Sequence, residues 1–177
     1  MFQPLHQRPW HLGTMLDTPI QKHWLDAFVR LFDLCRPARE ENVVILVESH
    51  SRPVNLVLAE LALRQLDVSF ETLRVDSKPA HARPIIRSTG ASNALAGETA
   101  AVARLVAADL VIDLTVEGLM HSVQTPGILA AGTRIMSISN EHPDILARLA
   151  PDPDLKPIVK DAVARCRSAT EMQVTSA

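Results

Sequence analysis

Three histidines follow apolar segments of the sequence, at positions where an imidazole could take part in chemistry: His50, His121 and His142. Imidazole changes its protonation state near neutral pH, so each of the three could act as a general base. Histidines in loops are nevertheless more often solvated or capping residues than catalytic ones. The polar neighbours in the same segments are Ser49, Ser51, Arg52, Thr115, Glu117, Ser122, Ser139, Asn140 and Glu141.

Two common kinds of site are excluded by their missing motifs. The segment Ser49-His50-Ser51-Arg52-Pro53 follows the first apolar run and contains no glycine-rich phosphate-binding loop, so a standard dinucleotide or P-loop nucleotide site is not expected. No His-Glu-x-x-His or His-x-His spacing occurs within any predicted element. His50, His121, His142 and Glu141 could hold a metal only by converging in space. Nothing in their spacing fixes that geometry, so we predict no metal ligands in this chain.

Two further groups of polar residues have structural interpretations that we prefer. Asp113 lies inside the third apolar run and needs a partner if it is buried. We expect Arg134 to supply that partner, in a structural role. His81, Arg83 and Arg87 lie in a long polar segment and could contact an anionic ligand. We expect them instead to form a solvated or interface surface.

The elements that must position these residues alternate between strand-like and helix-like patterns. The runs at 43–47 and 109–114 are almost continuously apolar, which is typical of strands inside a covered parallel sheet. The alternation predicts an α/β fold with an open, mostly parallel, Rossmann-like sheet and helices on both faces. The predicted strands, about five in number, are 43–47, 68–75, 109–114, 134–138 and 172–175. The predicted helix at 155–169 has an inner face made of Ile158, Val159, Ala162, Val163 and Cys166.

The predicted sheet also suggests where a ligand would bind. Open parallel sheets bind ligands beyond the carboxyl ends of their strands, near the point where the strand order reverses. His50 follows the first predicted strand and His121 follows the third. We therefore predict that the two imidazoles emerge on the same edge of the sheet and line one cleft.

Composition limits the class of protein. With 47% hydrophobic and 21% charged residues in a chain of 177, the sequence has the balance of a globular domain. A net charge of −2 and an aromatic content of 3% argue against a nucleic-acid partner. No segment approaches the roughly 20 apolar residues that cross a bilayer, and the first residues lack a signal-peptide core, so we expect a cytoplasmic protein without a membrane partner. We expect residues 1–17 to form an N-terminal arm and residues 18–177 to form the α/β domain. We expect the two cysteines, Cys35 and Cys166, to be buried, reduced thiols.

The order of several motifs resembles that of the 2,5-dihydroxypyridine 5,6-dioxygenases, which share a superfamily with the thermophilic-type metallo-aminopeptidases. The resemblance runs from about Trp24 to Ala177 and includes Ser49-His50 after the first strand. No single motif is highly specific, but their order and spacing together are. The other segments that carry it are 108–113 (ADLVID), 119–122 (LMHS), 128–135 (ILAAGTRI) and 145–149 (ILARL).

The resemblance implies that this chain is the N-terminal half of a two-domain enzyme. In the family, the C-terminal domain supplies the His and Asp ligands of a non-heme Fe(II), which activates O2 to open the pyridine ring. The Leu-x-His-Ser turn faces the substrate, which gives His121 a catalytic role in acid–base chemistry or in orienting the substrate. Met120 then falls in the apolar wall of the substrate site, and His50 and Ser122 are expected to bind the substrate. Fe(II) is expected only in the full-length enzyme, so this chain alone should be inactive.

Two alternatives to the dioxygenase interpretation stay open at this point. The chain could be the corresponding domain of a leucyl-type metallo-aminopeptidase, in which a two-metal site also lies in the C-terminal half. It could instead be a non-catalytic α/β module for ligand binding or oligomerisation. Because the sequence ends in a predicted strand and lacks the expected metal ligands, we expect a fragment, or a split or degenerate relative. A homo-oligomer is expected as well.

Overall fold

The computed structural model describes residues 19–76 and 90–175 of the chain. The predicted arm at 1–17 and the loop residues His81, Arg83 and Arg87 lie outside the described residues. Within the described ranges the chain has the predicted α/β fold. One parallel sheet separates two apolar layers, each of which is covered by helices.

The sheet has four strands in the described ranges, and all of their pairings are parallel. These are β1 (Val43–Glu48), β2 (Phe70–Val75), β3 (Leu110–Asp113) and β4 (Arg134–Ser137). Their order across the sheet is β2-β1-β3-β4. The chain moves outward from β1 to β2 and then returns past β1 to reach β3. The strand order therefore reverses between β1 and β3.

β1 shows why its residues form a central strand. Val43, Ile45 and Val47 point to one apolar layer, while Val44 and Leu46 point to the other. All five side chains are buried, because side chains alternate between the two faces of a strand and both faces are covered. Because every residue of the run is apolar, the strand contributes apolar side chains to both layers.

Six helices are described, and five of them pack on the sheet or its loops. Apolar residues of α1, α2 and α5 share a layer with Val43 of β1, and those of α3 and α4 share a layer with Val44. None of the described helices has the length and apolar character that crossing a membrane demands. The helices are α1 (Lys22–Leu34), α2 (Pro53–Gln65), α3 (Thr99–Val106), α4 (Thr125–Ala130), α5 (Pro143–Leu149) and α6 (Leu155–Ser168).

The predicted fifth strand is wrong for the residues that the structure describes. Residues 172–175 form no strand, and Met172 and Val174 are 73% and 86% exposed. Alternating apolar residues suggested a strand, but a strand needs a neighbour for its backbone hydrogen bonds. The segment follows α6, which no described element covers.

The predicted inner face of α6 is also wrong, because no residue of this helix is buried. Ile158 is 63% exposed and Val159 is 55% exposed. Of the two cysteines, Cys166 on this helix is exposed and Cys35 is only partly buried, so the expectation of two buried thiols fails. Burial raises the pKa of the Cys35 thiol against the opposing charge of Arg134.

Candidate functional site

The loops after β1 and β3 leave the sheet at its carboxyl edge, on the two sides of the point where strand order reverses. His50 lies just beyond the end of β1, and His121 lies in the turn that follows β3. Both residues are exposed. Because β1 and β3 are neighbouring parallel strands, both loops begin at the same edge. That the two imidazoles line one cleft stays a prediction.

Asp113, the last residue of β3, is a carboxylate with 0% exposure. Its Oδ1 accepts hydrogen bonds from the backbone N–H and the hydroxyl of Thr115, at 3.0 and 2.6 Å. Its Oδ2 accepts from the N–H of Leu119 at 2.7 Å and from the hydroxyl of Ser137 at 2.8 Å. Burial raises the pKa of Asp113, and these donors oppose the shift. Three of the donors lie in the loop that leads to His121, so the carboxylate fixes the path of that loop.

Arg134 was the predicted partner of Asp113, and that prediction was wrong. Its guanidinium instead bonds the carboxylate of Glu41 and the carbonyl oxygen of Cys35. Arg134 begins β4 while Asp113 ends β3, and the parallel register places Arg134 beside Leu110. The two charges therefore lie at opposite ends of adjacent strands.

The segment that begins at Gly90 runs beside the loop after β3 and bonds its backbone at three points. The N–H of Gly90 donates to the carbonyl of Glu117 at 2.5 Å, and the N–H of Ser92 donates to that of Gly118 at 2.8 Å. The N–H of His121 donates back to the carbonyl of Gly90. Gly90 has a φ of +72°, and a Cβ on it would lie 3.1 Å from Cδ2 of His121. This segment thus supports the backbone of His121 and packs against its ring.

Gly118 allows the same loop to approach the end of β4. Its φ is +78°, and a Cβ there would lie 2.3 Å from Oγ of Ser139 and 3.4 Å from Oγ of Ser137. Ser139 is buried and donates its N–H to the carbonyl oxygen of Asp113 at 2.9 Å. Any side chain at position 118 would therefore separate the loop from the residues against which it packs.

Side chains at the end of β1 and just beyond it also bond the loop after β3. Oε1 of Glu48 accepts a hydrogen bond from the N–H of Val116 at 2.6 Å. The hydroxyl of Ser51 donates to the carbonyl of Leu114 at 2.7 Å and accepts from the N–H of Glu48 at 2.9 Å. The loops that carry His50 and His121 are therefore held together by direct hydrogen bonds.

The loop after β4 is fastened to the start of α2. Oδ1 of Asn140 accepts from the backbone N–H of Arg52 at 2.9 Å, and its carbonyl oxygen accepts from the guanidinium at 3.3 and 3.4 Å. The amide nitrogen of Asn55 donates to the carbonyl of Glu141 at 2.9 Å. Arg52, Asn140 and Glu141 thus have a structural role, which is to hold the loop after β4 against the start of α2 at the carboxyl edge of the sheet.

The neighbours of His121 differ in what they present to solvent. Met120 is 66% exposed, so its thioether side chain is open to a ligand. Ser122 is 5% exposed, and its hydroxyl donates to Oε1 of Gln124 at 2.7 Å. Met120 and His121 are thus exposed in a turn whose flanking residues, Leu119 and Ser122, are buried and hydrogen-bonded. Substrate contacts of Met120, Ser122 and His50 stay predictions.

His142, the third histidine of the sequence prediction, contacts α1. Its Nδ1 accepts from the N–H of Asp144 at 3.2 Å at the start of α5, and its ring meets that of Trp24 edge-on at 5.5 Å. Asp144 also accepts from the indole N–H of Trp24 at 2.5 Å and bonds Nε2 of His23 at 3.0 Å. The hydrogen bond from Trp24, followed by that from His23, lowers the pKa of Asp144. His142 therefore serves the contact between α1 and α5.

A metal site in this chain would need several donor side chains to lie close together. Among the described residues, no group of three or more His, Cys, Asp or Glu side chains converges in a way that could hold a metal. His50, His121 and His142 with Glu141 are not such a group. The residues described do not fit an iron centre by themselves.

Sequence reasoning missed several residues that shape this edge, among them Gly90, Gly118 and Glu48. One signal was available, since Asp113 followed two residues later by Thr115 is the spacing of a local side-chain turn. Such turns satisfy a carboxylate without any opposite charge. The pairing of Gly90 with His121 joins distant parts of the chain and has no local signature.

Comparisons with known proteins point to one family. The family model described as NicX, 2,5-dihydroxypyridine 5,6-dioxygenase, matches residues 23–177. A 2,5-dihydroxypyridine 5,6-dioxygenase of Pseudomonas putida KT2440 is 30% identical over 154 residues, which cover 84% of this chain and 42% of that protein.

A solved structure gives the same result at the level of the fold. The structure of 2,5-dihydroxypyridine dioxygenase from Pseudomonas putida KT2440 matches with a TM-score of 0.73 and 28% identity. The match covers 85% of this chain and 44% of that one. The chain therefore spans less than half the length of these relatives.

Proposed function

This chain belongs to the 2,5-dihydroxypyridine 5,6-dioxygenase family, and we propose that it forms the substrate-facing side of a dioxygenase that cleaves a hydroxylated pyridine ring. One observation carries the proposal: Met120 and His121 project, exposed, from a turn that is fastened at the point where strand order reverses. This is the edge at which open parallel sheets bind their ligands.

The proposed roles follow from the chemistry of the side chains. A hydroxylated pyridine offers hydroxyl protons, acceptor atoms and a flat apolar face. His121 accepts a proton from a ring hydroxyl or orients it by a hydrogen bond, because imidazole is both a donor and an acceptor near neutral pH. Met120 contacts the ring face with its polarizable thioether. His50 binds the ring from the loop after β1.

The roles proposed for this chain are to bind the substrate, to orient it and to transfer a proton; holding the metal is not among them. The described residues offer Fe(II) no ligand set. We propose that a metal-binding part outside these residues completes the enzyme, and that the chain alone does not turn over. Addition of Fe(II) and 2,5-dihydroxypyridine to the purified chain should then give no oxygen uptake above a buffer control. Substrate-dependent uptake by the chain alone would contradict this part of the proposal.

Binding of the ring is tested by calorimetric titration of the chain with 2,5-dihydroxypyridine. Loss of one hydrogen bond between His121 and a hydroxyl should weaken binding about tenfold in His121→Ala. His23→Ala is the matched control, because His23 is also exposed but bonds Asp144 in the contact between α1 and α5. Equal affinity of the wild type and His121→Ala would remove His121 from the site.

A further inference from the structure

Asp113 is an unusual residue for its position. It ends a strand whose other residues, Leu110, Val111 and Ile112, are all buried and apolar. A carboxylate in such a place is costly unless hydrogen bonds satisfy it. It receives four, two on each oxygen. An aliphatic side chain would continue the strand without that cost, so the carboxylate has a use beyond packing.

The donors show what the carboxylate holds in place. The backbone N–H of Thr115 bonds Oδ1, and the backbone N–H of Leu119 bonds Oδ2. The loop is therefore pinned at two points, one at each oxygen. Leu119 lies two residues before His121, whose own N–H bonds the carbonyl of Gly90. The backbone of the histidine is thus held by its own bond to Gly90 and by the bond of Leu119 to Asp113, while its ring stays exposed.

The chemistry of the two pinning bonds requires a carboxylate and not an amide. A backbone N–H can only donate, so both oxygens of residue 113 must accept. Asparagine has nearly the same shape but only one acceptor oxygen. Whichever way its amide is turned, its NH2 group would face the N–H of Thr115 or that of Leu119. The hydroxyls of Thr115 and Ser137 could rotate, but the two N–H groups could not adapt.

We propose that Asp113 is a positioning residue that sets the place of His121 at the carboxyl edge of the sheet. Whether the position of His121 matters for catalysis rests on the function proposed above for this residue. The placement itself is a property of the loop and is measurable without turnover.

The test compares Asp113→Asn with Asp109→Asn, the same change at the opposite end of the same segment. Asp109 is exposed, and its carboxylate accepts only the N–H of Asn42 at 2.8 Å among the described residues, so an amide can replace it. The NMR signals of the His121 ring and of the Leu119 amide should shift in Asp113→Asn and should keep their wild-type positions in Asp109→Asn. Affinity for 2,5-dihydroxypyridine should fall about tenfold in Asp113→Asn alone.

Each outcome decides one part of the inference. Unchanged His121 signals in a folded Asp113→Asn protein, or equal shifts in both variants, would overturn the positioning role. Shifted signals with unchanged affinity would support positioning and contradict the proposed use of His121. If Asp113→Asn does not fold, amide hydrogen exchange of the wild-type chain tests the two pinning bonds. The N–H groups of Thr115 and Leu119 should both exchange slowly, and exchange of either at the rate of an unprotected amide would overturn the inference.

Discussion

The close approach of Gly118 to Ser139 gives a prediction whose size can be worked from the structure. A Cβ at Gly118 would lie 2.3 Å from Oγ of Ser139, and the backbone there has a φ of +78°. Gly97 has the same φ of +78° but nothing within 4 Å of its Cβ position. Alanine at either site incurs the same backbone cost, roughly 1 kcal/mol. The difference between the two variants therefore isolates the contact with Ser139.

Overpacking of a close-packed site costs about 1–3 kcal/mol. The hydroxyl of Ser139 can relieve part of this by rotating, so we expect Gly118→Ala to be less stable than Gly97→Ala by about 1–2 kcal/mol. Urea unfolding measures the difference, which corresponds to a gap of roughly 1 M between the two midpoints. Midpoints that agree within about 0.3 M, with equal slopes, would refute the close packing of this loop on the end of β4.

Three further predictions address the ring of His121, the acid response and the core. Gly90→Ala should shift the NMR signals of the His121 ring, because the added Cβ would lie 3.1 Å from Cδ2; an unshifted ring would show that the two do not pack. The lowered pKa of Asp144 means that its ionised form is favoured in the folded chain, so its stabilising effect is present above the ordinary carboxyl pKa and is lost as pH falls through the lowered value. Asp144→Asn should therefore flatten the decrease in urea midpoint between about pH 5 and pH 2, and an unchanged slope would contradict the bonds to this carboxylate. Leu58→Ala, at 0% exposure in the core, should cost about 2–5 kcal/mol, whereas Val163→Ala on α6, at 42% exposure, should change stability by less than about 1 kcal/mol; equal losses in thermal unfolding would place α6 in a packed layer.

The part of the fold that depends on local pattern could be predicted from the sequence. The run at 43–47 alternates between two covered faces, and its apolar continuity identified a central strand. Pro143 stands in the first turn of α5 (Pro143–Leu149), a position that proline favours because its missing N–H is not needed there. The parallel direction of the predicted strands added the prediction that the loops of His50 and His121 begin at the same edge of the sheet. These features depend on short-range periodicity and on the general topology of parallel sheets.

The parts that failed depend on which partner a group finds. The apolar stripe of α6 specifies a face, but it does not specify whether another element covers that face. Asp113 required a partner, and the sequence suggested an opposite charge in Arg134. The loop supplied neutral N–H and O–H donors instead, because a carboxylate can be satisfied without any opposite charge. The spacing of Thr115 from Asp113 was a local signal for this, whereas the bond from the N–H of Leu119 had none.

The fixing of the loop after β3 likewise uses contacts that no local pattern encodes. Gly90 and His121 are distant in sequence, and they meet through a backbone hydrogen bond and through the packing of Gly90 against the His121 ring. The contact of Gly118 with Ser139 depends on how closely the loop approaches β4. Both glycines look like ordinary turn residues in the sequence, and their importance follows from the tertiary structure.

We propose that the edge between β1 and β3 receives the substrate ring, and ring-resolved NMR of the histidines during titration with 2,5-dihydroxypyridine measures this. We expect saturable shifts of the His50 and His121 imidazoles that fit a single dissociation constant. The imidazoles of His23 and His142, engaged in the contact between α1 and α5, should stay in place. Shifts confined to His23 and His142, or no saturable shift at His121, would contradict the claim.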